Sequence, residues 1–538
     1  MSEKTRNSII LQGSILALAG IISKIIGFIY RIPMANIMGN DGNGLYSVSF
    51  GIYNVALTLS SYSMPLAVSK LMSARIAEGR YKDAHRVFRR ALIFATLTGF
   101  IAAAVMFFGA DALAAVYKRE GLERPIRVLA PTVLVVAVLG TLRGYFQGHK
   151  NMVPTAVSQV IEQIVNAIVS VAASYGFVKA YESTGNASSY GAMGGTLGTL
   201  SGAMAALIIF IFLFIIGRSN IREETGREDT ATEDNGLIFK CIILTVIPVI
   251  ISQTIYQFGY TLDDLLYGNI LALKGVEESV ATSLQGIFNT QYNQMINLPV
   301  AIATSMASAM LPSVVAHYTV GEHDNVKKKI SLVLKINMMI AIPAAVGLAV
   351  LADPIMAVLF TSLGEYHYVA VILLRTGSLA VVFYALSTLT TSVLQGCDKM
   401  SVPVIHSGIS LVIHGILNGA LLYFTDLGVY ALVIGNVTFP LLVCILNLRS
   451  VRKLIDFKPD ILKVFVLPGI ASLIMGVAAY GLYAFVIYIA GDGRLYKAIG
   501  LVVSIIVSAA VYGIMLIVLK AVDKDELKAM PIVKKFVK

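Results

Sequence analysis

Apolar runs of about twenty residues recur from one end of this chain to the other, and few folds accommodate them. Each run is long enough to cross the roughly 30 Å hydrocarbon core of a bilayer. Hydrophobic residues make up 57% of the chain and charged residues only 14%, against about 25% charged in an ordinary soluble domain. Lipid supplies no hydrogen bonds, so a run of this length must satisfy its own backbone, which a helix does. The expected fold is an all-α polytopic membrane protein of about fourteen transmembrane helices. The spans read as 9–35, 44–72, 88–110, 125–146, 154–179, 191–217, 237–262, 283–316, 330–351, 368–396, 403–424, 428–447, 464–489 and 497–519. Spans 9–35 and 283–316 are long enough to bend or to extend past the bilayer. The first run is too long for a cleavable leader and has no small-residue cleavage site after it.

The net charge of +11 would suit a nucleic-acid binder, but its placement reads as topology. With the N-terminus inside, thirty of the 42 Lys and Arg residues fall on inner segments, nine on outer segments and three within spans. This bias places both termini in the cytoplasm of a cytoplasmic-membrane protein and excludes nucleic acid as the expected partner. Membrane lipids, including anionic headgroups, are the expected contacts of the inner basic segments. The three cysteines, Cys241, Cys397 and Cys444, are scattered, so they suggest neither a disulfide framework nor a metal site.

The chain also repeats. Gln147-Gly-His-Lys-Asn-Met-Val-Pro154 returns as Gln395-Gly-Cys-Asp-Lys-Met-Ser-Val-Pro403, and an arginine stands twenty residues before each glutamine, Arg127 and Arg375. A weaker echo joins Glu78-Gly79-Arg80 to Val320-Gly321-Glu322. Six spans separate the copies. Six is even, so the copies share one orientation: two parallel six-helix lobes related by an axis along the membrane normal. The predicted divisions are an N-lobe at 1–217, a cytoplasmic linker at 218–236, a C-lobe at 237–447, and two extra spans with a tail at 448–538.

Polar residues inside such spans are costly, about 2.5–3.5 kcal/mol for a central charge, and normally face a cavity or a partner. Lys24 and Arg31 are seven apart on one face of span 1, with Gly27 between them and Pro33 placed to bend the helix. They either line a phosphate-attracting cavity or snorkel to the outer surface. Gln159, Glu162, Gln163 and Asn166 form one stripe of span 5, readable as substrate ligands or as interhelical glue. Gln253, Gln257, Tyr260 and Asp264 form a stripe in span 7 with Asp263 adjacent; the two aspartates are candidates for a coupling ion or sit in water at the outer helix end. Asn289, Asn293 and Asn297 recur every four residues in span 8, with Gln294 beside them and Pro299 expected to break the helix. The loop Gly39-Asn-Asp-Gly-Asn-Gly44 lacks the Lys-Ser/Thr of a nucleotide loop and reads as an outer turn or hinge. His406 and His414 lie in span 11 without metal spacing. No nucleophile–base pair and no ATP motif occurs, so neither an enzyme nor an ATP-driven pump is expected, and no cofactor or metal.

The stretch Leu142-Arg-Gly-Tyr-Phe-Gln-Gly-His-Lys-Asn-Met-Val-Pro-Thr-Ala-Val-Ser-Gln-Val-Ile-Glu-Gln163 resembles the span 4–5 signature of a known family. That family is the polysaccharide-exporter branch of the multidrug/oligosaccharidyl-lipid/polysaccharide flippase superfamily. Ser23-Lys-Ile-Ile-Gly-Phe28, Gly39-Asn-Asp-Gly-Asn-Gly-Leu-Tyr46, Leu374-Arg375 and Gln395-Gly396 resemble further parts of it. Within the branch the chain is similar to the stage V sporulation protein B group and to Gram-positive lipid II flippases. The resemblance implies alternating access of two lobes around a cationic cavity that passes a lipid diphosphate headgroup, and a lipid-tail groove at spans 13 and 14. It places Lys24 where the family has an arginine in its Ser-Arg-x-x-Gly-Phe motif, with Arg31 one position from a second. Thr58 falls near a third arginine position and Gln294 on a fourth, so the cavity here carries fewer cations. The family's ion site draws on spans 7, 11 and 12; span 11 here offers His414 and Asn418 but no acid.

The expected function is therefore export of an undecaprenyl-linked saccharide by a monomer. The membrane potential, H+ or Na+ would drive it. The alternative is a cation-coupled multidrug exporter of the same superfamily, which needs acids facing its cavity.

Overall fold

The computed structural model describes residues 3–217 and 233–522. Every regular element among them is helical. Ten described helices are long and apolar enough to cross a membrane, eleven if one bent pair is counted as a single span. The chain is thus a multi-pass membrane protein. The predicted linker, apart from 233–236, and the tail from 523 onward lie outside the described residues.

Two compact units divide at Gly286 and Ile287. The first begins with α1, Glu3–Ser60, which joins the predicted span 9–35 to the first part of span 44–72; the rest of that span lies in α2, past a turn at 61–63. Pro33 lies inside it without breaking it; the single non-helical residue is Gly39, at φ 70° and ψ 179°. That backbone region is almost closed to residues with a Cβ, which is why the break falls on the glycine. Asn43 braces the corner by donating from Nδ2 to the carbonyl of Ala35 at 2.9 Å. Then follow α2 (Met64–Ala77), α3 (Tyr81–Phe108), α4 (Ala110–Tyr117), α5 (Glu123–Gly148), α6 (Val153–Ala180), α7 (Ala187–Ile216), α8 (Asn235–Leu273) and α9 (Glu278–Gly286). Helices α6 and α7 run closely together because α7 presents glycines to α6. A Cβ on Gly198 would lie 2.6 Å from the Asn166 carbonyl oxygen, and one on Gly202 would lie 2.5 Å from that of Glu162.

The second unit opens with a π-helical turn, Ile287–Tyr292, leading into α10, Asn293–Thr319. Pro299 does not break span 8, contrary to expectation. The irregularity lies upstream in the π turn, and a single missing proline N–H is tolerated within a packed helix. Helices α11 (His323–Val350), α12 (Ala352–Leu359), α13 (His367–Gly377), α14 (Ala380–Gly396), α15 (Ser401–Phe424), α16 (Val429–Ile455), α17 (Leu467–Ala490) and α18 (Arg494–Val518) complete it.

The sequence repeat is visible in the backbone. Lys150 and Asp398, each three residues past its glutamine, take left-handed conformations at φ 60° and 57°. Gly79 and Gly321 of the weaker echo both sit at φ 78°. Gly148 and Gly396 each let their helix close onto a neighbour, against Met72 and Val314 respectively. The copies diverge at the arginines. Arg127 lies in the unbroken α5, whereas Arg375 lies in α13, which meets α14 at a 42° bend. By contact, α8 and α9 belong to the first unit. The repeat and the contacts therefore divide the chain at different places.

Candidate functional site

The first unit gathers the candidates of spans 1 and 5. A Cβ on Gly27 would lie 3.1 Å from Gln163 Nε2, so the Lys24–Gly27–Arg31 face of α1 turns toward α6. Both cations are exposed. Arg31 lies beside Tyr30 and Tyr46, which are themselves buried at 6% and 5% exposure. Accessible cations on a face that looks at a polar helix, rather than outward at lipid, favour a cavity wall over snorkelling.

The span 5 stripe divides among three neighbours. Gln163 meets α1. Asn166 Oδ1 accepts from Ser170 Oγ at 2.8 Å, and Ser170 also reaches the Gly195 carbonyl on α7; this end of the stripe is interhelical packing. Gln159 is half-buried. Glu162 takes a hydrogen bond from Arg143 Nη2 of α5 at 2.6 Å, with side-chain exposures of 28% and 15%. Arg143 also points at Ser158 Oγ, 3.4 Å away. Arg143 is the functional candidate that sequence reasoning missed. Its place near the end of its span groups it with the inner basic segments, and only the crossing of α5 and α6 brings it to Glu162. Thr58, near a family arginine position, is buried and bonds its own helix at the Asn54 carbonyl; it supplies no substitute charge.

Span 7 places Asp264 in the interior, at 6% exposure, not in water at a helix end. Its Oδ1 accepts from Gln285 Nε2 at 2.7 Å, and Gln285 Oε1 accepts from Arg119 Nη2 at 2.9 Å. A glutamine thus relays between a buried acid and a buried arginine. Asp263 beside it is half-buried. The side chains of Gln253 and Tyr260 lie outside the described residues. Arg119 borders a cavity of about 840 Å³ whose rim includes Asp41, Glu120, Arg124 and Glu278. Asp41 receives a hydrogen bond from Ser283 Oγ.

The second unit holds the remaining candidates. Asn289 lies within the π turn, upstream of Asn293 and Gln294 at the start of α10. Asn289 and Asn293 are half-buried and Gln294 is buried. Tyr292 anchors the turn through its hydroxyl, which bonds the Gly377 carbonyl at 3.2 Å and Asn436 Oδ1 at 3.3 Å. His414 and Asn418 are buried between α15 and α16. His414 Nδ1 meets the Gly435 carbonyl at 3.2 Å, and Asn418 Nδ2 meets His414 Nε2 at 3.3 Å. His406 pairs with Asn447 at 2.8 Å. Among the described residues no group of three His, Cys, Asp or Glu side chains could hold a metal ion.

Paired helical repeats and ten or more spanning-length apolar helices define a polytopic membrane protein. The chain belongs to the polysaccharide biosynthesis protein family, whose model matches residues 10–317; the MatE model matches 289–419. It is 25% identical to stage V sporulation protein B of Bacillus subtilis (strain 168), over 97% of this chain and 98% of that one. It is also 25% identical to the lipid II flippase MurJ of the same organism, over 94% of each. Among solved structures, a lipid II flippase MurJ in an inward closed conformation superposes with a TM-score of 0.66 at 15% identity, covering 93% of this chain and 98% of that one. An inward-facing multidrug resistance MATE transporter of the MOP superfamily gives 0.64 at 14% identity, covering 80% and 95%. The fold and family are those of the MOP flippase superfamily, whose members are transporters.

Proposed function

We propose that this protein is a flippase that exports an undecaprenyl-linked saccharide across the cytoplasmic membrane by alternating access, as a monomer with both termini in the cytoplasm. The peptidoglycan precursor lipid II is the leading substrate. The observation that carries this reading is the Lys24–Gly27–Arg31 face turned toward Gln163. Cations there suit a diphosphate, and the neighbouring amides suit sugar hydroxyls. The relative named as a lipid II flippase supports the same substrate class. An inside-negative potential would favour outward movement of an anion, or return of the empty cationic carrier, by about 2.3 kcal/mol per charge per 100 mV.

The second reading, cation-coupled multidrug export, draws on the MatE match over 289–419. It requires an acid available to a cationic cargo or coupling ion. Glu162 is engaged by Arg143 and Asp264 by Gln285, which favours the anionic cargo. The deciding experiment is translocation in vesicles of several lipid-linked sugars, with and without an imposed potential. Translocation of lipid II that Lys24→Ala and Arg31→Ala abolish is the expected result. Drug efflux without translocation of any lipid-linked sugar would favour the second reading and sink the first.

A further inference from the structure

Glu233 directly precedes Asp234, which caps α8 by accepting from the Gly236 N–H at 2.9 Å. Glu233 is engaged at every polar group it has. Its carboxylate accepts from Arg75 Nε and Nη2 at 3.1 and 2.6 Å, and from Arg80 Nη2 at 2.5 Å. Its N–H donates to Asp83 Oδ1 at 3.0 Å, and its carbonyl accepts from Arg86 Nη1 at 2.7 Å. Arg75, Glu233 and Asp83 are enclosed, at 9%, 16% and 0% side-chain exposure, while Arg80 and Arg86 stay 29% and 34% exposed.

This engagement is more than the fold requires. The second copy of the repeat builds the same corner without it. Gly321 matches Gly79 at φ 78°. The N–H of Glu322 bonds the carbonyl five residues back, as the N–H of Arg80 does. Where the first copy has Arg80, the second has Glu322, which is satisfied locally by His317 and Asn325. The first corner therefore concentrates guanidinium groups for a purpose beyond turning the chain. Three of them converge on one glutamate, Arg75 and Arg80 on its carboxylate and Arg86 on its backbone carbonyl, while Arg80 also donates to Asp83 Oδ2 at 2.7 Å. Arginine forks bind carboxylate and phosphate oxygens with the same geometry, so the glutamate stands where two phosphate oxygens would fit. Basic segments flanking spans are also where anionic headgroups gather.

We propose that Arg75, Arg80 and Arg86 form a docking site for phosphate-bearing groups, and that the Glu233 carboxylate occupies it as a built-in competitor. A phosphate group that displaces Glu233 releases the chain just ahead of α8 from the α2–α3 corner, so occupancy of the site is linked to the connection between the repeats. The site is independent of which sugar the protein carries.

The test uses the full chain in nanodiscs of neutral phosphatidylcholine. Calorimetry measures binding of inorganic pyrophosphate to the wild type, to E233Q and to E233Q with R80Q. A second arm uses discs containing phosphatidylglycerol, with the retained anionic lipid counted by native mass spectrometry. Removing one competing charge-assisted contact should tighten pyrophosphate binding roughly tenfold in E233Q, and R80Q should reverse the gain. A gain confined to phosphatidylglycerol identifies the ligand as a lipid headgroup; a gain with pyrophosphate identifies a soluble phosphate. E322Q, at the second corner, should change neither. E233D, which keeps the charge but shortens its reach, gives the same comparison if E233Q melts early. No gain for either probe in either variant overturns the proposal.

Discussion

Glu162 of α6 holds the guanidinium of Arg143 of α5 at 2.6 Å, with both side chains mostly enclosed. Each sits on a span, and each would be an expensive isolated charge in a membrane. Paired, they leave the polar stripe of α6 close to neutral. The charges left on the face of α1 that meets α6 are then those of Lys24 and Arg31.

The pairing predicts asymmetric mutant behaviour. Removing either partner strands the other, so R143A or E162A should cost about 1–3 kcal/mol, between the exposed and fully buried limits. The exchange R143E/E162R should recover a good part of the loss. Thermal melting of the purified variants checks this. Equal stability of the single and exchanged variants would show that the contact is not energetically coupled.

Lys24 and Arg31 predict a charge-dependent loss of transport. In a flippase-depleted strain, K24A and R31A should fail to restore growth at normal protein levels. K24R should restore it, because a second cation of similar reach retains the attraction for phosphate. K24E should fail most severely. Full rescue by both alanine variants would remove these residues from the cavity.

The Arg119–Gln285–Asp264 relay predicts that the neutral member matters most for stability. Q285A removes a link between a buried cation and a buried acid and should cost about 2–4 kcal/mol. D264N retains shape and hydrogen bonding and should cost less. Melting temperatures of the two variants, compared in one detergent, decide the order.

The engagement of Glu233 predicts a pH signature. Burial alone would raise its carboxyl pKa, but hydrogen bonds and charge from Arg75 and Arg80 outweigh that and hold it below the ordinary value of 4.5. A depressed folded-state pKa means the stabilisation is complete above the unfolded-state value and fades as pH falls through the folded one. The melting difference between wild type and E233Q should therefore be constant from pH 7 to about 5 and shrink at lower pH. A difference that grows on acidification would contradict this.

The paired corners predict paired costs. Gly79 and Gly321 share φ 78° with nothing within 4 Å of a built Cβ. G79A and G321A should each cost about 1–2 kcal/mol from left-handed strain alone. G198A should behave differently, because its Cβ would collide with Ser170 Oγ and the Asn166 carbonyl; overpacking of about 1–3 kcal/mol or more is expected, with poor yield. Yield and melting temperature of the three variants separate strain from collision.

The sequence by itself determined the membrane class, the helices and the repeat, because these follow from apolar run length and from glycine and basic residues at fixed offsets. Gly79 and Gly321, or Lys150 and Asp398, share a backbone shape through local bonding that needs no tertiary partner. It also placed Lys24, Gly27 and Arg31 on one face, since helical spacing is local. It could not say what that face meets. Only the tertiary structure set Gly27 against Gln163, paired Glu162 with Arg143, sent Asn166 to α7 and buried Asp264 behind Gln285. It likewise moved the irregularity of span 8 from Pro299 to the π turn upstream, and kept Pro33 within a continuous helix. Whether a polar residue in a span is a ligand or a strut depends on which helix crosses it, and crossings are settled by packing over distances that no local pattern records.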